Sequence, residues 1–122
     1  MSDIKFLHPK NEWNVPISKA AVAGDYFFTW GYGEILDPSD PKPGMRKVFE
    51  HLRSLLQEKG LTFADVVKVT GLLSSLELFT PYNEVYREYL KEPFPVRTSF
   101  CIIAEKPLLE VDLIAYRKGL SG

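Results

Sequence analysis

The run Val66-Val67-Lys68-Val69-Thr70-Gly71-Leu72-Leu73 stands alone between two stretches of helical periodicity. Its residues are mostly apolar and β-branched, which is the composition of a central strand packed on both sides. Before it, Val48, Phe49, Leu52, Leu55 and Leu56 fall at i, i+1, i+4, i+7 and i+8, one apolar face of a helix, and Lys59-Gly60 supplies a cationic last turn and a glycine stop. After it, Thr80 is positioned to cap a second helix with Pro81 at its first turn and Glu84 close behind. The stripe of that helix is Tyr82, Val85, Tyr86, Tyr89 and Leu90, and Pro93 and Pro95 end it. A single strand between two helices requires crossover connections, which constrains the fold more than any other feature of the chain.

The flanks supply strand pairs. Residues 18–23, the turn Gly24-Asp25 and the aromatic run 26–30 read as a β-hairpin. Residues 97–104 and 109–116, joined by Glu105-Lys106-Pro107-Leu108, read as a second. Residues 1–16, interrupted by Pro9 and Pro16, read as an irregular segment from which Trp13 docks on the body. Gly31-Tyr32-Gly33 reads as the end of a strand, and the stretch 37–44, with three prolines, as a loop. The order is β-β-α-β-α-β-β: an α+β domain spanning 1–122, with a mixed sheet and two helices on one face. If the other face is apolar, a second copy of the chain is its expected cover.

Composition removes several classes of partner. With 15 Lys+Arg against 16 Asp+Glu the formal net charge is −1, so the chain lacks the positive field that holds nucleic-acid phosphates. No apolar run approaches the ~20 residues of a membrane helix, and the start has no basic segment followed by an apolar one. One cysteine, Cys101, makes neither an internal disulfide nor a cysteine-based zinc site, so a reducing, cytoplasmic setting is expected. There is no phosphate-binding glycine loop, no nucleophile elbow and no metal-spaced His/Cys cluster, so the usual catalytic signatures are missing. His8 and His51 read as structural, and Cys101 as a small buried hydrophobe before a thiol nucleophile.

The chemistry-bearing group is C-terminal. Strand alternation places Arg97, Ser99 and Cys101 on one face and Thr98, Phe100 and Ile102 on the other, while Glu110 and Asp112 share a face of the next strand. If the two strands form a hairpin, Arg97 and Glu110 lie in one region of the sheet. A guanidinium there can grip a carboxylate with two hydrogen bonds, and a nearby Glu can position water. A structural salt bridge between Arg97 and an acidic neighbour is the simpler alternative.

The segments Asn83-Glu84-Val85-Tyr86, Pro95-Val96-Arg97-Thr98 and Leu109-Glu110-Val111-Asp112-Leu113-Ile114-Ala115 match an N-x-x-Y helix, a P-x-R-(S/T) strand start and an (I/V)-E-(I/V)-(E/D)-x-(I/V)-A strand. Val15-Pro16-Ile17-Ser18-Lys19-Ala20 lies where a G-P-Y-S-x-A motif falls, and Leu61 to Thr70 is similar to L-(S/T)-x-x-D-V-V-K-x-T. By these motifs the chain resembles the RidA/YjgF/UK114 family, also called the L-PSP endoribonuclease family. The resemblance implies a chorismate-mutase-like α+β fold and a homotrimer with clefts between subunits. It implies that Arg97 binds a substrate carboxylate, that the backbone N–H of Ser99 assists, and that Glu110 orients water. The implied reaction is hydrolysis of a 2-imino acid of the 2-aminoacrylate type to a 2-oxo acid and ammonia, without metal or cofactor. Two positions depart from the pattern. Ile17 replaces a tyrosine and Trp30 a small serine, both expected at the substrate cleft, with core packing the alternative for Trp30. A non-catalytic trimer that binds small carboxylate metabolites is the second functional reading. Ribonuclease chemistry is disfavoured by the charge balance and by the lack of a histidine pair.

Overall fold

The structure, a computed structural model, describes residues 4–122. In chain order it contains β1 (Ile4–Leu7), β2 (Ala20–Ala23), β3 (Tyr26–Thr29), β4 (Tyr32–Ile35), α1 (Lys42–Gln57), β5 (Val66–Leu73), α2 (Phe79–Tyr89), β6 (Val96–Cys101) and β7 (Leu108–Tyr116). The seven strands form one mixed sheet in the order β1-β2-β3-β7-β5-β6, with β4 following β3 along β7. Only β5 and β6 pair in parallel.

The expected C-terminal hairpin does not form: β5 lies between β6 and β7. The six residues 102–107 pass over its end and span two strand spacings, roughly 10 Å. Ile102 N–H donates to Leu73 C=O, and Leu108 N–H donates to Ser74 Oγ, which pins that connection. Strand β5 thereby has a hydrogen-bonded neighbour on each side from Lys68 to Leu73.

Other boundaries also differ. The segment expected to be irregular begins with β1, whose four residues pair antiparallel with Ala20–Ala23. Gly31-Tyr32-Gly33 does not end the sheet, because β4 continues along β7. Helix α1 starts at Lys42, inside the expected loop, with Pro43 in its first turn. Thr80 lies within α2 and caps nothing, since a 3-10 turn (Leu76–Leu78) runs directly into the helix.

Both helices pack on one face. Met45, Val48, Phe49, Leu52, Leu55 and Leu56 of α1 are buried, as are Tyr82, Val85 and Tyr86 of α2. They rest on Val69 and Leu73 of β5 and on Leu109, Val111, Leu113 and Ala115 of β7. The opposite face carries Phe6, Tyr26, Phe28, Ile35 and Phe100, all exposed. Exposed aromatic and aliphatic side chains gathered on one face suit an interaction surface. Among the described residues no helix is long and apolar enough to cross a membrane.

Candidate functional site

Arg97 sits on the edge strand β6, level with Val69 of β5, and therefore on the helix-covered face. Its guanidinium carbon lies 4.8 Å from the ring centroid of Tyr86 and 5.4 Å from that of Tyr82, both on α2. Aromatic faces attract a guanidinium and hold it flat without consuming its donors. Among the described residues Arg97 has no carboxylate partner, which removes the salt-bridge alternative. It borders a recess of about 250 Å³ together with Asn83, Tyr86, Arg87, Phe94 and Pro95. Four buried polar atoms surround this corner without partners: the hydroxyls of Tyr82, Tyr86 and Ser99 and Oδ1 of Asn83. Buried polar groups are normally satisfied, so the cluster marks a place where polarity serves something besides packing. Burial raises the phenols of Tyr82 and Tyr86, with Arg97 opposing the rise, so both stay neutral.

Ser99 follows Arg97 on the same face, opposite Gly71. Because Ile102 N–H faces β5, alternation turns the N–H groups of Phe100 and Thr98 the same way and those of Arg97, Ser99 and Cys101 outward. An edge strand leaves such donors open. The Ser99 N–H, directed away from β5, and the Arg97 guanidinium thus lie two residues apart at one border of the sheet. Cys101, expected to be buried, is exposed on the same edge, since nothing packs beyond β6.

Glu110 belongs to the other face. It opposes Gly33 of β4 and Leu72 of β5, on the side away from the helices. Phe28 opposes Ile114 and Tyr32 opposes Val111, so the three residues 29–31 face only the two residues 112–113. This one-residue β-bulge re-aims the chain. Tyr32 turns toward α1 and stacks on His51 at 3.8 Å, while Gly31 and Gly33 both lie over Glu110. A Cβ on Gly31 would stand 2.7 Å from Glu110 Oε2, and one on Gly33 3.3 Å from Oε1. The two glycines hence form the recess that the carboxylate fills. Glu110 has no hydrogen-bond or ion-pair partner among the described residues. Burial first, and the charge of Asp112 second, raise its carboxyl above the ordinary carboxylate value. Asp112 itself is held by Thr70, with Lys68 nearby.

Arg97 and Glu110 consequently occupy opposite faces of the sheet, separated by β5, and do not meet within one chain. This corrects the expectation drawn from a hairpin. Ile17 and Trp30 do come together, bordering a recess of about 450 Å³ with Phe6, Phe28 and Thr29. Trp30 also packs inward: its Nε1–H donates to His51 Nε2 at 3.0 Å, and Trp13 leans on it at 5.8 Å. Trp30 thus borders the recess and packs inward as well. His8 is structural, paired with Glu58 at 2.9 Å.

Sequence reasoning missed the glycines over Glu110 and the tyrosines under Arg97 as parts of the site. The Gly-x-Gly spacing was visible, but only the bulge gives both glycines the same carboxylate to face. Asn83 and Tyr86 were visible as a helical i, i+3 pair, and their alignment with Arg97 depends on the β5-α2-β6 crossover.

The family model described as Endoribonuclease L-PSP matches residues 14–117. A RutC family protein of Pyrococcus abyssi is 35% identical over 112 residues, covering 84% of this chain and 87% of that protein. The human 2-iminobutanoate/2-iminopropanoate deaminase is 28% identical over 78 residues, covering 62% of this chain and 57% of that protein. The crystal structure of RidA from an Antarctic Psychrobacter superposes with a TM-score of 0.75 at 25% identity, covering 96% of this chain and 100% of that one. The motifs around Asn83, Arg97 and Glu110, the two helices on a mixed seven-stranded sheet and these matches lead to one conclusion: the chain belongs to the L-PSP endoribonuclease family, the family of the RidA, YjgF and RutC proteins.

Proposed function

We propose that the protein hydrolyses 2-imino acids to 2-oxo acids and ammonia at a site shared by two copies of the chain. One observation carries this reading: an unpaired guanidinium and an unpaired, half-buried carboxylate sit on opposite faces of one sheet. Among the described residues each lacks a charged partner, and a neighbouring copy docked by its β6 edge on the open face of the next supplies both at once. The exposed Tyr26, Ile35 and Phe100 give that docking an apolar driving force. A closed ring of three copies satisfies such a head-to-tail contact.

In this site Arg97 and the Ser99 N–H of one copy hold the substrate carboxylate, and Glu110 of the next holds a water against the imine carbon. Burial and Asp112 raise this carboxyl above the ordinary carboxylate value, so it accepts a proton more readily than an exposed glutamate does. Glu110 takes a proton from water as oxygen bonds to the electrophilic carbon and passes that proton to the imine nitrogen, giving a tetrahedral amino alcohol. It then takes the proton of the new hydroxyl and delivers it to the amino nitrogen as the C–N bond breaks, so that ammonia leaves and the C=O of the 2-oxo acid forms. Holding the carboxylate and placing one water is a task of proximity and electrostatics, which needs no group beyond these.

The test generates 2-aminoacrylate with a dehydratase, traps its imine with semicarbazide, and measures diversion to pyruvate. Arg97→Ala and Glu110→Gln each abolish diversion. Co-expressing the two variants restores about a quarter of the wild-type rate, the chance that random mixing joins an intact Arg97 to an intact Glu110 across one interface. Full inactivity of the mixed assembly, with its oligomeric state unchanged by light scattering, refutes the shared site. Ligand binding that depends on Arg97 without turnover of any imine would instead establish the non-catalytic binder, a reading favoured by Ile17, which brings no hydroxyl to the recess it borders.

A further inference from the structure

Trp30, the residue before Gly31, borders a recess with Ile17 and Phe28, and the chemistry of that recess specifies what it can hold. Trp30 ends where Gly31 begins, and Gly31 lies directly over the Glu110 carboxylate. Trp30 thus joins the wall of the recess to the glycine that covers the group that would place water. The recess volume of about 450 Å³ falls in the range of small-molecule pockets, roughly 300–1,000 Å³. Its walls are Phe6, Pro9, Pro16, Ile17 and Phe28 with two alanines, and only Ser18 and Thr29 carry hydroxyls. The Thr29 hydroxyl is already committed: it accepts from Leu113 N–H at 3.0 Å and donates to Trp30 C=O at 3.0 Å. The Trp30 indole N–H is likewise committed to His51. A polar substituent would be stripped of water here with little in exchange, whereas an apolar one would displace water from phenyl and aliphatic surface.

We infer that this recess receives the side chain of the substrate, and that the protein selects 2-imino acids bearing large apolar or aromatic side chains over the methyl-bearing imine. The inference rests on the imine-hydrolase reading above and names its substrate class. Apolar pockets discriminate by roughly 10–200-fold per methylene when well fitted. An open recess such as this one should reach at least the lower end across a methyl-to-isobutyl or methyl-to-benzyl change. The walls that set the preference are Ile17 and Phe28, both about 40% exposed, so trimming them removes contact surface without hollowing the core.

An L-amino-acid oxidase supplies imines from alanine, leucine and phenylalanine, and the loss of semicarbazone gives kcat/KM for each. The expected result is a preference of ~10-fold or more for the isobutyl and benzyl imines over the methyl one. Ile17→Ala and Phe28→Ala each lower that ratio by several-fold. Calorimetric titration with 2-oxo acids bearing methyl, isobutyl and benzyl groups gives a readout independent of turnover, and the same ranking is expected. Arg97-dependent turnover with the methyl imine equal or favoured overturns this inference and leaves the hydrolase reading standing. A large-side-chain preference that survives both truncations overturns the assignment to this recess. No turnover of any imine, but tighter binding of the benzyl 2-oxo acid than of the methyl one, supports the side-chain inference and overturns hydrolysis instead.

Discussion

Gly71 of β5 lies directly beneath the Tyr82 ring, and the substitution Gly71→Ala tests the packing that sets the Arg97 corner. A Cβ at Gly71 would stand 2.7 Å from Tyr82 Oη, 3.1 Å from Cζ and 3.4 Å from Cε2. Tyr82 cannot withdraw easily. It is fully buried, stacked on Phe49 at 6.3 Å and edge-on to Tyr86 at 5.8 Å. The Gly71 backbone is not left-handed, so alanine is conformationally acceptable and gains about 0.4–1 kcal/mol from a less flexible unfolded chain. Overpacking in a rigid core costs about 1–3 kcal/mol, so overpacking wins and the net loss is about 1–2 kcal/mol. With an unfolding entropy of about 2.1 cal/mol/K per residue, 122 residues give a Tm decrease of roughly 4–8 °C. Tyr82→Phe deletes the closest atom, a buried hydroxyl with no partner, and alone should leave stability unchanged or raised. In the double variant it should recover at least ~1 kcal/mol of the Gly71→Ala loss as a coupling term. The assay is thermal unfolding by circular dichroism at one fixed protein concentration, since assembly itself shifts Tm. A Gly71→Ala Tm at or above wild type, or a loss that Tyr82→Phe does not relieve, would refute the argument.

Three further outcomes are expected. Gly31→Ala pushes the Glu110 carboxylate aside from 2.7 Å, so turnover in the imine assay should fall ~10-fold or more while KM and Tm change little; a variant with wild-type kcat would show that the recess does not place Glu110. Asp112→Asn removes the like charge that helps raise the Glu110 carboxyl, so the acid limb of the kcat/KM–pH profile should move to lower pH, and a limb that stays fixed or rises would deny Glu110 that role. His51 is lowered from 6.5 by burial and by Lys19, with Glu34, Glu58 and His8 also facing it, and its Nε2 must be unprotonated to accept from Trp30. Between the lowered folded value and 6.5 the unfolded chain binds the proton that the folded chain refuses, so the His51 contribution to stability is present above pH 6.5 and declines as pH falls through the folded value. Denaturant midpoints at pH 8 and pH 5.5 should therefore differ more for wild type than for His51→Phe, and equal differences would count against the Trp30–His51 bond.

Legibility in the sequence followed the range of each interaction. Periodicity of 3.6 and of 2 is local, so the apolar faces of α1 and α2, the central role of β5 and the shared face of Arg97 and Ser99 could be read from residue spacing. The motifs around Asn83, Arg97 and Glu110 were likewise on the surface of the text, and they carried the family. The placement of β6 was not local. A short linker between two strands ordinarily signals a hairpin, yet residues 102–107 are long enough to step over β5, and the parallel β5–β6 pairing prevails. Cys101 was misplaced for the same cause, since β6 becomes an edge that leaves it exposed.

What the sequence by itself determined is therefore the alternation of strands and helices, the apolar faces and the identity of the charged residues available for chemistry. Only the tertiary structure decided that Arg97 and Glu110 stand on opposite faces, that two tyrosines hold the one and two glycines make room for the other, and that Ile17 and Phe28 border the adjoining recess. The physical reason is that strand neighbours and bulges are chosen by the summed burial of distant residues. No window of local sequence contains that sum.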